Sequence, residues 1–358
     1  MPIAIATVSP EGLRGFLALR DTAADFVAGR FATEQGATYA AFGQRGRDAC
    51  REDMAYHLEF LQPVIEFGLA DPMVEYLLWL ASVLQTRGVP DAHLALSLEW
   101  LGEFFAAHLR GPQGAVIASA LRSVRAEYET RASEPFATST EAEAWPEFDP
   151  FRDALLTGSR THATEIIAAA MARGASLVEV GTHVVQPALY DIGLKWQRNQ
   201  VSVAQEHLAT ATAQSVMATA LARATAASPN GRKVLLACVE GNRHAVGLQM
   251  VADAFQLAGW ETQLLGADVP TGALVKQVEA WKPQLVGLSI SFPHHLRVAR
   301  AAIARLREVL GPRRPAIMVG GLAINRFEAL AHHLGAEGWC RDSARVVEAG
   351  AAFAAAAA

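Results

Sequence analysis

Cysteine is scarce in this 358-residue chain: Cys50, Cys238 and Cys340 stand far apart, with no C-x-x-C pair. That spacing argues against a disulfide framework and against a cysteine-based zinc site. Charge is also scarce, at 19% of residues against 51% hydrophobic. With a net charge of −5 and no block of Lys or Arg, nucleic acid is not expected as a direct partner. No apolar run approaches the roughly 18 residues that span a bilayer. The opening "MPIAIATVSPEGLRG" lacks a basic stretch ahead of a long apolar one, so no signal peptide is expected and the cytoplasm is the expected location. These absences leave a compact, helix-rich globular protein, long enough for two or three domains.

Three segments separate along the chain. Residues 1–130 read as an N-terminal helical domain. Apolar residues recur at helical spacing in "MVEYLLWLASVLQ" and "LALSLEWLGEFFAAHL", and breaks fall at Asp71-Pro72, Gly88 to Pro90 and Gly111 to Gly114. Residues 131–150 lose periodicity and gain Pro, Ser, Thr and Glu, which reads as a linker. Residues 151–228 suit a helical bundle, with Ser202 three residues ahead of Gln205 in a capping-box arrangement.

From 229 to 358 the period changes. "KVLLACV" (233–239), "ETQLLG", "LVGLSIS" (285–291) and "AIMVGG" (316–321) alternate with helical stretches. Strands alternating with helices predict a doubly wound, Rossmann-like parallel sheet, so the fold class is α followed by α/β. Ligands of such sheets lie beyond the carboxyl ends of the strands. The polar and glycine residues gather there, in "EGNRHAVG", "GADVP", "SISFPHH" and "GGLAIN".

A single His in a strand-to-helix loop is usually a surface or capping residue. Here Asn242-x-His244-x-x-Gly247 is followed by Ser289-Ile290-Ser291 and by Gly320-Gly321. This set resembles the D-x-H-x-x-G, S-x-L, G-G pattern of cobalamin-binding domains. The resemblance implies that His244 is the lower axial cobalt ligand, displacing the cofactor's own base. It also implies that the nucleotide tail threads into the sheet past Gly247, Ser289, Ser291, Gly320 and Gly321. Two positions depart from the pattern: Asn242 replaces a carboxylate and Ser291 a Leu. A neutral amide at 242 is expected to accept the imidazole N–H, with a smaller gain in ligand basicity.

The bundle ahead of the sheet carries "KWQRNQVSVAQEHL" (195–208), which places Trp196 ten residues before Glu206 and His207. The bland reading is a core Trp beside a solvated Glu-His pair. The W-x9-E-H spacing, next to the sheet domain, resembles the CarH/LitR light sensors. That likeness implies a cap over adenosylcobalamin, with the indole on the adenosyl group and the carboxylate on its ribose hydroxyls. In those sensors a His follows the Trp and binds cobalt after light. Here that residue is Gln197, leaving His207, water or no strong upper ligand.

The first 130 residues carry no basic recognition helix, which argues against direct repression of transcription. "CREDMAYHLEFLQPVIEFG" and "VEYLLWLASVLQTRGVPDAHL" resemble the helical N-terminal region of photocobilins, which implies biliverdin as a second chromophore. Tyr56, His57, Trp79 and Trp100 could line its pocket or could equally be core residues, and nothing around Cys50 indicates a reactive thiol.

The leading expectation is a non-enzymatic photoreceptor whose oligomeric state changes with light and whose output partner is unknown. The rival is a corrinoid methyl carrier of a methyltransferase system or a mutase subunit. A cobalamin storage or chaperone protein is a third reading. A carrier needs a methyl-donating partner, and no barrel or zinc-thiolate motif is present.

Overall fold

The computed structural model describes residues 5–36, 43–132, 145–327, 329–341 and 343–356. They fall into two compact units, Met1–Thr138 and Ser139–Ala358. No described helix is long and apolar enough to cross a membrane. In the first unit the longer helices are α1 (Pro10–Glu34), α2 (Gly43–Phe67), α3 (Asp71–Gln85), α4 (Ala92–His108) and α5 (Gln113–Arg131). Ser9 caps α1 by accepting the Gly12 N–H at 3.1 Å, and Pro10 fills a position that needs no donor. The break expected at Asp71-Pro72 falls between α2 and α3, and Pro72 sits in the first turn of α3 for the same reason. Phe16, Phe31, Leu61, Leu77 and Phe105 are fully buried in this unit.

Residues 133–144, the greater part of the expected linker, lie outside the described residues. Its two ends differ from expectation. Helix α5 runs to Arg131, and α6 (Phe148–Leu156) starts before position 150. Pro150 sits in the first turn of α6, where backbone N–H groups have no intrahelical partner to lose.

In the second unit α6 is followed by α7 (Arg160–Ala172), α8 (Leu177–Val180), a π-helical turn (Gly181–Val185), α9 (Gln186–Gln197) and α10 (Val203–Leu221). Two capping boxes fix entry angles. Ser176 pairs with Glu179, and Ser202 pairs with Gln205 through bonds of 3.0 and 3.3 Å. Phe151, Ile167, Val184, Ile192 and Val216 form the bundle core.

The sheet holds β1 (Lys233–Val239), β2 (Glu261–Val269), β3 (Leu285–Ser289), β4 (Ala316–Gly320) and β5 (Gly338–Trp339), all parallel, in the order β2-β1-β3-β4-β5. Helices α11 (Val246–Leu257) and α16 (Val346–Ala356) carry residues that pack with Val234, Leu236 and Leu285 on one side. Between the strands run α12 (Thr271–Trp281), α13 (Leu296–Leu310), and the short α14 (Leu322–Arg326) and α15 (Ala329–Leu334). Val234 to Val239 are buried on both faces of β1, which is why that run lacks polar alternation. The second strand outlasts the expected "ETQLLG" by three residues. Register shifts after Leu236, with Gly266 and Asp268 at positive φ, let it bend on to Val269. β5 spans two residues, too few to leave a period in the sequence.

Helix α11 ties the bundle to the sheet. Met250 belongs to the bundle core, beside Gly181 of the π turn, and Leu257 packs there too. Asp253 lies three residues from one and four from the other, hence on the same stripe. It is 5% exposed, its Oδ2 has no hydrogen-bond partner, and burial pushes its pKa up to about 7. A carboxyl whose native pKa lies above its unfolded value weakens the fold as pH rises from about 4 to 7, and the loss is complete above that. Asp253→Asn is therefore expected to leave stability near that of the parent at pH 4–5. At pH 8 it should add on the order of 2–4 kcal/mol, measured by denaturant unfolding across pH.

Candidate functional site

In a sheet of this order the chain reverses direction between β1 and β3, and the crevice beyond those two strand ends is the site the topology creates. Asn242, fully buried, spans it. Its Nδ2 donates to the Ser289 carbonyl at 2.9 Å, and its Oδ1 accepts the His244 backbone N–H at 3.1 Å. Its own carbonyl accepts the Asp268 N–H at 2.9 Å, and Asp268 Oδ1 accepts the Gly241 N–H at 2.7 Å. The expectation that Asn242 accepts the imidazole N–H is thus corrected. A primary amide can donate to a carbonyl and accept from an amide at once, and here both ends are committed to backbone.

His244 is left with its ring at the surface, and among the described residues that ring takes no hydrogen bond. Its one ring contact is the edge-to-face packing of Phe292, centroids 5.0 Å apart at 85°. Phe292 stacks on His294 at 5.5 Å, and His294 lies 4.1 Å from His295. Burial, with the proximity of His295 and His244, pushes His294 down to about 3, and burial with the proximity of His244 pushes His295 to about 4, so both are neutral. Surrounding protein also lowers the pKa of His244, while the Glu206 carboxylate of the bundle pulls it back up. The charge of Glu206 therefore reaches His244 across the crevice. Phe292, His294 and His295 were not singled out from sequence, although "SFPHH" was among the polar strand ends.

Ser289 and Ser291 are buried beside the same crevice, and burial raises the Cys238 thiol to about 11, against a hydrogen bond with Ser289. At Gly247 an added Cβ would meet nothing within 4 Å, so open space lies over the start of α11. The glycine pair answers to the chain itself. Gly321 has φ +99°, and a Cβ there would lie 2.5 Å from the Ile290 carbonyl oxygen. The backbone of this protein, before any ligand, requires that glycine.

On the bundle, Asn199 at φ +57° turns the chain sharply, so the last turn of α9 abuts the first of α10. Trp196 is half-buried against the bundle core, and Gln197 points inward and is buried. Glu206 Oε1 accepts from the Thr210 hydroxyl at 2.9 Å, and Oε2 sits 2.6 Å from His207 Nδ1. The His207 side chain is 75% exposed and Glu206 32%.

The first unit contains a second polar group. His57 is fully buried, with Nδ1 2.7 Å from the Asp53 carbonyl oxygen and 3.0 Å from the Tyr76 hydroxyl. Its Nε2 has no hydrogen bond, and burial lowers its pKa to about 4. Tyr76 stacks on Phe60 at 3.9 Å and lies near Trp79, and burial raises Asp53 to about 7. Tyr56 is exposed. Trp100 stands apart from this group: it is buried against Phe31 at 4.6 Å, with Arg30 over its face, which makes it a core residue. Cys50 is buried.

An imidazole with no ring hydrogen bond, beside open space and within the electrostatic reach of a carboxylate on the helical bundle, has the donor chemistry of a cobalt site. Residues 232–348 match the family described as B12 binding domain, and residues 147–220 match a second family of the same description. Bundle and sheet together are a cobalamin-binding module, and the protein is a cobalamin-binding protein. Its relatives include the HTH-type transcriptional repressor CarH of Myxococcus xanthus. That protein is 32% identical over 166 residues, which cover 44% of this chain and 54% of the repressor. The dimethylamine corrinoid protein 2 of Methanosarcina mazei is 29% identical over 182 residues, covering 48% of this chain and 84% of its own. The chain spans about half the length of the repressors it matches. A solved monomethylamine corrinoid protein of Methanosarcina barkeri aligns with 57% of this chain and 96% of its own, at 19% identity and a TM-score of 0.48.

The Asn242 strut gives a direct test. Asn242→Asp restores the residue type of the common motif, yet it sets a carboxylate oxygen against the Ser289 carbonyl in place of a donor. It is expected to cost about 1–3 kcal/mol of stability, read by thermal or denaturant unfolding of the free protein.

Proposed function

We propose that this protein is a light sensor that holds adenosylcobalamin between its sheet and its helical cap, and that it is not an enzyme. The observation that carries this reading is the placement of Glu206, in the W-x9-E-H hairpin, close enough for its charge to act on His244. His244 would hold cobalt from below, and Ser289, Ser291 and the open space at Gly247 would accommodate the nucleotide tail. Trp196 offers an aromatic face and Glu206 an acceptor for paired hydroxyls, a combination suited to adenosine rather than to methyl. Bound adenosylcobalamin supplies a cobalt–carbon bond that green light breaks.

Trp196 would then lose its cover. Uncovering one face of an indole is worth about 1–3 kcal/mol, enough to bias a two-state contact whose gap is of that size. With Gln197 buried where the related sensors have a ligating His, the position after the Trp supplies no imidazole to lock the lit state, which leaves His207 or water as its upper ligand. We therefore read the signal as a change of homo-oligomeric state, passed to an output protein of unknown kind.

The methyl-carrier alternative is favoured by corrinoid relatives such as the dimethylamine corrinoid proteins 1 and 2 of Methanosarcina mazei, which align over 83% and 84% of their own length against 54% for the repressor CarH. Absorption spectra before and after green light, with size exclusion in both states, separate the two. A sensor changes both, whereas a carrier exchanges methyl with a partner protein and elutes unchanged. Glu206→Ala should lower affinity for adenosylcobalamin on the order of tenfold or more while leaving methylcobalamin within about twofold. Equal losses for both forms would return Glu206 to a structural role.

The same reading gives the first unit biliverdin as a second chromophore, beside His57, Tyr76 and Trp79 and away from Trp100. The unsatisfied Nε2 of His57 supports it, being an acceptor in an aromatic setting. The full-length protein mixed with biliverdin should gain a red absorbance band that His57→Ala weakens or shifts. A protein without that band senses through cobalamin alone.

A further inference from the structure

Asn242 makes no hydrogen bond to the imidazole of His244; its amide bonds to the Ser289 carbonyl and to the His244 backbone N–H. A lower ligand still needs its ring held, since rotation about the last side-chain torsion swings the donor lone pair off the metal axis. Among the described residues the aromatic ring packed on that imidazole is Phe292, and three features immobilise Phe292 itself. It precedes Pro293, which keeps its backbone extended at φ −126° and ψ 147°. Its ring stacks on His294. The segment just before it is pinned to β4, with the Ile290 N–H donating to the Gly320 carbonyl at 2.8 Å and the Ala323 N–H to the Ile290 carbonyl at 3.2 Å.

We propose that Phe292 is the positioning residue for the cobalt ligand His244, taking by ring contact the orienting role that a carboxylate hydrogen bond fills elsewhere. The proposal rests on the cobalamin-site reading. An aromatic edge fixes direction without adding negative charge, so His244 is aimed at the metal but not made more basic. The loop that bears the ligand and the loop that aims it leave the two strands flanking the chain reversal. Ligand geometry is thereby tied to the β1–β3 register.

The test uses the full chain labelled with 15N-histidine and loaded with cob(II)alamin, read by electron paramagnetic resonance. Coordination by a labelled imidazole splits each cobalt line in two, whereas the cofactor's own 14N base splits it in three. The parent protein should give two lines, and His244→Ala should abolish them. Phe292→Ala should lower the ratio of His-bound to base-bound cobalt on the order of five- to tenfold, and Phe292→Tyr should restore it. Phe292→Leu, which keeps apolar bulk without an aromatic edge, should fall between and guards against a failure of Phe292→Ala to fold. Two-line spectra of full intensity in both the Ala and Leu variants overturn the positioning role while leaving His244 as the ligand. Three lines in the parent overturn the ligand assignment as well.

Discussion

The buried amide of Asn242 is the joint on which the site hangs. Parallel strands of a doubly wound sheet leave their loops at one edge, and where the chain reverses between β1 and β3 nothing in the ladder holds those loops together. Asn242 closes that gap with two short bonds, one to each strand's loop. Asp268 extends the lacing to the carboxyl end of β2. The bond from Asn242 to the Ser289 carbonyl is shielded from water, so it stays directional, and losing it would strand a buried polar group. The position of His244 follows from this lacing, as does the space left open in front of it.

The second constraint is the packing of the cap on α11, the helix that starts two residues after His244. Met250, one turn into that helix, sits in the bundle core against Gly181 of the π-helical turn. Two residues on, His183 stacks on Trp145 at 5.0 Å, and the Trp145 N–H donates to the His183 carbonyl at 3.4 Å. A π turn widens a helix by one residue and is found often at functional positions. Here it lies where the cap touches the helix nearest the ligand, in the same stretch of packed groups that includes the uncompensated carboxyl of Asp253.

Sensor and carrier readings share the sheet and its histidine and diverge in the cap. The sheet residues bind what all cobalamins have in common, so they cannot distinguish the readings. On the proposed reading Trp196 and Glu206 would meet the variable upper side, where an adenosyl group needs an aromatic plane and an acceptor while a methyl group needs neither. That contrast is chemical rather than architectural, which is why fold likeness to either kind of protein leaves it open.

The sequence alone determined what depends on local order. The 3.6-residue period marked the helices, the apolar run at 233–239 marked a strand buried on both faces, and Ser202 with Gln205 marked a helix start. Even the loop that carries His244 was legible as a strand-to-helix turn, because a His between a strand and a glycine-bearing helix is a short-range pattern. Other features needed the tertiary structure. Phe292 meets His244 only because β1 and β3 are neighbours in space, 48 residues apart in the chain. The same adjacency turned Asn242 from a partner of the imidazole into a strut between loops. Gly321 proved necessary to the backbone of Ile290, and Trp100 proved a core residue rather than part of the His57 group. A residue's type and spacing state what it can bond to; which partner it meets is decided by strand order and burial, and neither is written in any short window of sequence.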